Sequence, residues 1–194
     1  MNEPRPELGG KGAPTGSPFP PSSAADDRPL HLVVTLGTDH HPFARLVDWV
    51  DGWAADHPDV LCLVQHGTAP APRHAEGHAM LDPADIPGLM GRARIVVGHA
   101  GPGTVLDART SGRLPVVVPR LARLGEVVDD HQVAFGRWMD TRGMALCVDS
   151  EPGLRAHLDA ALDDPAPYAV AVDDGRPPPA VTLFGDLVDG ILTR

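Results

Sequence analysis

The chain has 194 residues, 42% of them hydrophobic, enough for one domain with a substantial core and flanking tails. Its formal net charge of -10 at pH 7 repels a phosphate backbone and argues against nucleic acid as a partner. No window of about 18 apolar residues is present, so no direct membrane span is expected.

Residues 1–29 are rich in Pro, Gly and Ser and read as a disordered tail without the apolar stretch of a signal peptide. Leu30 to Leu36 (LHLVVTL) reads as the first strand, ending at Gly37 and Thr38. A helix is expected from Pro42 to Asp56, with Phe43, Leu46, Val47, Val50 and Trp53 on one face. Val60 to Val64 is the second strand, followed by Gln65, His66, Gly67 and Thr68. Ala69 to Gly77 reads as a loop, His78 to Leu81 as a short strand, and Asp82 to Arg92 as a helix capped by Asp82. Arg94 to Gly98 is a buried strand, His99 to Thr104 a glycine-rich turn, and Val105 to Ser111 a helix. Leu114 to Val118 is a strand, Leu121 to Val128 a loop, Asp129 to Arg142 a helix, Met144 to Val148 the last strand and Pro152 to Leu162 a helix. The core domain thus spans 30–164, with a linker over 165–179 and a terminal amphipathic helix over 180–194. That helix shows Val181, Phe184, Leu187, Val188 and Ile191 on one stripe, suited to folding back or to docking on a partner. Cys62 and Cys147, each in an apolar run, read as buried free thiols of a reducing compartment.

Strands alternating with helices imply an α/β fold: a Rossmann-like parallel sheet with helices on both faces. Such sheets bind ligands beyond the carboxyl ends of their strands, where Gly37-Thr38, Gln65 to Thr68 and His99 to Thr104 all fall. A glycine-rich strand-to-helix turn presents unpaired N–H groups at the positive end of a helix, a geometry that holds phosphate. Gly101 and Gly103 allow close approach, since a Cβ there would meet the anion. Thr104 is expected to cap the helix or donate its hydroxyl to a phosphate oxygen. On this hexapeptide alone, a tight turn that binds nothing is the alternative.

The segments VVTLGT, VQHGT, GHAGPGT and DDHQ, in this order and spacing, resemble the C-terminal, donor-binding domain of family 28 glycosyltransferases. The resemblance runs from Leu30 to Leu162 and is closest in size to the Alg13-type stand-alone subunits. It implies a single GT-B donor-binding lobe, and inverting transfer of a hexose or N-acetylhexosamine from a UDP-sugar to a lipid-linked saccharide. It also implies a membrane-anchored acceptor-binding subunit as partner, placing a cytoplasmic chain peripherally at the inner face of the membrane. The UDP-sugar is the donor substrate; no cofactor and no metal are implied. The family pattern puts the diphosphate on Gly37, Thr38 and Ala100 to Thr104, and the uracil and ribose near Gln65, His66 and Gly67. Glu126 or a neighbour would accept from ribose hydroxyls, and Asp130, His131 and Gln132 would read the donor sugar. Pro102, which has no N–H, departs from the pattern, and Arg120 and Arg123 are either compensating cations or solvated.

His40 and His41, beside the first turn, are candidates for a general base, against the plainer reading of solvated loop residues. His99 is expected to stay neutral and orient the turn. His74 and His78 are spaced i,i+4, but Gly77 argues against a helix, so no metal site is expected. Two other readings stand beside the transferase. An NAD(P)-binding Rossmann oxidoreductase would use Gly101 and Gly103 as half a fingerprint, but position 106 is Leu and no acidic residue follows the next strand. A non-catalytic nucleotide-sugar-binding module is the other, weighed against by the retained DDHQ.

Overall fold

A computed structural model describes residues 30–172, so the expected tail at 1–29 and terminal helix at 180–194 lie outside the described residues. Six parallel strands form one sheet: β1 (Leu32–Thr35), β2 (Cys62–Gln65), β3 (Glu76–His78), β4 (Ile95–His99), β5 (Val116–Val118) and β6 (Leu146–Cys147). The order is β3-β2-β1-β4-β5-β6, so the chain reverses direction of growth between β1 and β4. Leu32, Val33 and Val34 are all buried, because β1 is covered on both faces.

Alternation along β1 sorts the two layers. Leu32 and Val34 face α1 (Ala44–Asp56) and α5 (Glu151–Asp163), packing with Leu46, Val50, Trp53, Leu154 and Leu158. Val33 faces the other layer with Leu89 and Met90 of α2 (Ile86–Arg92) and Ala108 of α3 (Pro102–Thr110). Val105 of α3 and Met139 of α4 (His131–Thr141) continue that layer over Val117. The buried Trp53 donates its indole N–H to Asp159 Oδ1 at 2.7 Å, tying α1 to α5. Thr35 pairs in register with both Gln65 and Gly98, and His99 pairs with Val118. The carboxyl ends of β1, β2, β4 and β5 therefore finish at one level.

Several boundaries differ from the sequence reading. β3 is Glu76–His78 rather than His78 to Leu81; it is an edge strand set by its pairing with β2, and its residues carry no apolar signal. Asp82 does not cap α2: its Oδ1 accepts the Ala84 N–H at 3.0 Å in a turn, and the helix begins at Ile86. α3 begins at Pro102, not Val105, because proline suits the first helical position. The linker expected from 165 is docked on the domain at its start. Leu114 donates to the Tyr168 carbonyl at 2.8 Å and Val170 to Gly112 at 3.0 Å. The Tyr168 ring is buried and its hydroxyl lies 3.0 Å from His157 Nδ1. Cys62 is buried and its thiol pushed up to about 12 by desolvation, whereas Cys147 is only partly buried.

Candidate functional site

The switch point between β1 and β4 is organised around the His99 ring. A Cβ on Gly37 would lie 2.6 Å from His99 Cε1, and one on Gly101 only 2.1 Å from Nε2. Both glycines therefore make room for the imidazole. At Gly101 this corrects the expectation that an anion needs the space. Gly37 also has φ +75°, the left-handed region that glycine adopts without strain. A Cβ on Gly98 would meet the Thr104 methyl at 2.4 Å, so glycine there lets the start of α3 close onto β4. Thr104 is buried inside the first turn of α3, and its hydroxyl lies 3.2 Å from His99 Nδ1. It neither caps the helix nor offers an open hydroxyl, contrary to expectation. Burial, reinforced by the Arg120 charge, pushes the His99 imidazole down to about 4 and keeps it neutral at pH 7.

Gly101 is the N-cap residue, with no side chain capping the helix, and Ala100 is buried beneath it. Pro102 holds the first helical position, so the leading amides of α3 are those of Gly103 and Thr104. A Cβ on Gly103 would meet nothing within 4 Å among the described residues, so this face of the turn is left open by them. Asp107 lies four residues further along α3 and shares that face. Its carboxyl is pushed up by burial, and it has no ion-pair partner among the described residues. The sequence reading passed over it; its signal is an acidic residue one helical turn past the second glycine.

The segment after β5 behaves differently. Arg120 is 1% exposed. Its Nη1 donates to the carbonyls of His41 at 2.7 Å and Glu126 at 2.8 Å, and its Nη2 to that of Leu36 at 2.9 Å. The guanidinium also lies over the Phe43 ring at 4.8 Å. Glu126 is 4% exposed and grips Arg45 with both oxygens, at 2.8 Å each, while Oε2 also accepts the Leu121 N–H at 2.9 Å. Its carboxylate is engaged inside the fold. Gln132 is buried, its Oε1 accepting the Arg120 N–H at 3.3 Å. Asp130 Oδ1 accepts the Ala122 N–H at 3.0 Å. His131 stands exposed, its Nδ1 held by Asp129. Arg123 is exposed, and Arg120 is neither solvated nor at the surface.

Gln65 is also a buried clamp: Oε1 accepts the Leu36 N–H at 3.0 Å and Nε2 donates to the Gly37 carbonyl at 2.9 Å. His66 turns its Nδ1 to the Ala69 carbonyl at 2.8 Å, and Gly67, at φ +59°, has open space at its Cβ position. Thr38 is exposed at the rim. His41 Nδ1 lies 2.6 Å from Asp39 Oδ1, which also accepts the His41 N–H at 2.9 Å. The His41 amide and ring hold the Asp39 carboxyl below its usual range. His40 is exposed beside them, and the three side chains place ligand-type atoms within 4.8 Å of one another. His74 and His78 separate, His74 facing Asp51 at 3.3 Å and His78 bonding Glu76 at 2.8 Å. Among the described residues no helix is long and apolar enough to cross a membrane.

The model of the glycosyltransferase family 28 C-terminal domain matches residues 32–165. A protein of Yarrowia lipolytica named UDP-N-acetylglucosamine transferase subunit ALG13 is 45% identical over 121 residues, covering 54% of this chain and 57% of that protein. A protein of Rhodospirillum centenum named UDP-N-acetylglucosamine--N-acetylmuramyl-(pentapeptide) pyrophosphoryl-undecaprenol N-acetylglucosamine transferase is 34% identical over 91 residues, covering 45% of this chain and 23% of that protein. The match thus spans well under two thirds of these curated relatives. The fold is shared with Acinetobacter baumannii MurG, at a TM-score of 0.55 and 21% identity over 84% of this chain and 50% of that one. It is shared too with the solution structure of ALG13, at a TM-score of 0.52 and 16% identity over 79% of this chain and 94% of that one.

Proposed function

The chain belongs to the glycosyltransferase family 28 C-terminal domain family, and from that premise we propose that it is the donor-binding part of an inverting transferase using a UDP-sugar. The observation that carries the reading is the open start of α3 beside the Gly37 loop, both built around a neutral His99. In the reaction, an acceptor hydroxyl attacks the anomeric carbon in line. The bond to the diphosphate oxygen breaks, UDP leaves with the electron pair, and the hydroxyl proton passes to a base. The leading amides and dipole of α3 stabilise the charge that develops on the departing diphosphate. Asp107, on the same open face, is placed to accept from ribose hydroxyls, the task Glu126 is not free to take. Replacing it as Asp107→Asn lowers affinity for UDP and leaves that for pyrophosphate unchanged; equal affinities before and after remove it from the site. His131, its Nδ1 held by Asp129, presents Nε2 to the donor sugar.

The acceptor and the base are assigned to a second, membrane-anchored subunit, with a lipid-linked saccharide as acceptor, and the chain to the cytoplasmic face. The support is the naming of the fungal relative as a transferase subunit. The test incubates the full chain, UDP-N-acetylglucosamine carrying a labelled sugar, and membranes containing a candidate acceptor subunit. Label should enter lipid only when both proteins are present. Robust transfer to a soluble acceptor by this chain alone sinks the two-subunit reading. UDP-sugar binding without transfer in any pairing favours the non-catalytic module instead.

A further inference from the structure

Arg120 is a buried charge whose side-chain hydrogen bonds go to carbonyls, while the Asp39 and Glu126 carboxylates act on it only through space. Glu126 gives Arg120 only its backbone oxygen, its carboxylate being taken by Arg45. The Nε of Arg120 has no hydrogen-bond partner among the described residues. Taking a full charge out of water is costly, and here no carboxylate among the described residues makes a direct ion pair to offset it. The arrangement has a directional consequence. A trans peptide points its C=O and N–H in opposite directions, and no described peptide bond is cis. Arg120 draws the Leu36 carbonyl inward at 2.9 Å, so the Gly37 N–H points away from it, out of the fold. Gln65 does the same one residue on, holding the Gly37 carbonyl at 2.9 Å and turning the Thr38 N–H away from β2. Neither amide has a partner among the described residues.

We propose that Arg120 is a positioning residue for the donor diphosphate. It aims the Gly37 amide outward, and it supplies through that peptide a buried positive charge that acts most strongly on the fully ionised leaving group. The inference rests on the UDP-sugar reading. A hydrogen bond polarised from behind by a cation is strengthened, and water cannot screen the charge. UDP carries more negative charge on its terminal phosphate than a UDP-sugar does, so Arg120 favours UDP over the sugar nucleotide. A part that merely held the loop in shape would serve both ligands alike.

The test titrates UDP and UDP-N-acetylglucosamine calorimetrically into the full chain and its Arg120→Met and Arg120→Lys variants. Loss of the charge in Arg120→Met should weaken UDP at least tenfold and UDP-N-acetylglucosamine about threefold or less. Arg120→Lys, which keeps the charge and loses the fork, should recover part of the preference. Equal loss for both ligands overturns the proposal. Should Arg120→Met not fold, amide NMR of the unmodified chain decides. The Gly37 resonance should move on titration with UDP and stay still with uridine. Movement at Gly103 with Gly37 unmoved overturns the proposal and leaves the donor reading standing. No movement anywhere with UDP overturns both.

Discussion

Two polar segments meet at the carboxyl edge of the sheet, and they use their polarity in opposite ways. In the turn from Gly98 to Thr104 the side chains are small or turned inward, and what faces out is backbone: the amides that head α3. In the segment from Pro119 to Gln132 the Arg120, Glu126 and Gln132 side chains are buried and engaged inside the fold, while Asp129, Asp130 and His131 stand at the surface. Arg120 holds three carbonyls, Glu126 holds Arg45, and Gln132 holds the Arg120 amide. The first segment presents backbone outward; the second holds the chain that follows β1, at Leu36 and His41. A residue type suited to a ligand is thus no guide to whether it touches one, since a buried polar group must first satisfy its own hydrogen bonds.

The comparison breaks most visibly at Gly101. A methyl there meets the His99 ring at 2.1 Å, so Gly101→Ala should cost about 3 kcal/mol in chemical denaturation. In a His99→Ala background the same change should cost far less, because its obstacle is gone. An equal cost in both backgrounds refutes the packing role given to the glycine. Next is Glu126→Gln, which leaves Arg45 without its charge partner and should cost about 2 kcal/mol of stability while changing UDP affinity less than twofold. A large loss of affinity with stability intact returns Glu126 to the ribose. Gly103→Val reverses that pattern. With open space at its Cβ, it should shift stability by less than about 0.5 kcal/mol and weaken UDP roughly tenfold, about 1.4 kcal/mol. Unchanged UDP binding takes the turn out of the site.

The pH dependence tests the His99 environment. The folded His99 imidazole sits at about 4, below its ordinary 6.5. Between those values the unfolded chain binds the extra proton, so stability falls as pH drops from 6.5 toward 4. His31 and His157, also lowered by burial, act in the same direction. His99→Gln should flatten the slope in part. An unchanged slope assigns the acid sensitivity to the other two.

The fold was legible because burial on both faces of a parallel sheet leaves unbroken apolar runs, as at Leu32 to Val34, and because α1 carries a clean helical stripe. β3 was misplaced because Glu76, Gly77 and His78 gain their strand from pairing alone. The docked stretch around Tyr168 was hidden in a Pro- and Asp-rich setting, where one buried aromatic ring decides the packing. At the site, the glycine turn and a neutral His99 could be read locally. The inward turn of Gln65, Glu126 and Gln132 could not, because it depends on partners far away in sequence: Gly37 for Gln65, Arg45 for Glu126.

The proposed function holds that the edge between β1 and β4 takes a nucleoside diphosphate, rather than a dinucleotide, on the open amides that follow the two strands. The most direct measurement is a calorimetric titration of the full chain with UDP and, separately, with NADH. UDP should bind, and NADH should neither bind measurably nor displace it. Tighter binding of NADH with no response to UDP contradicts the account.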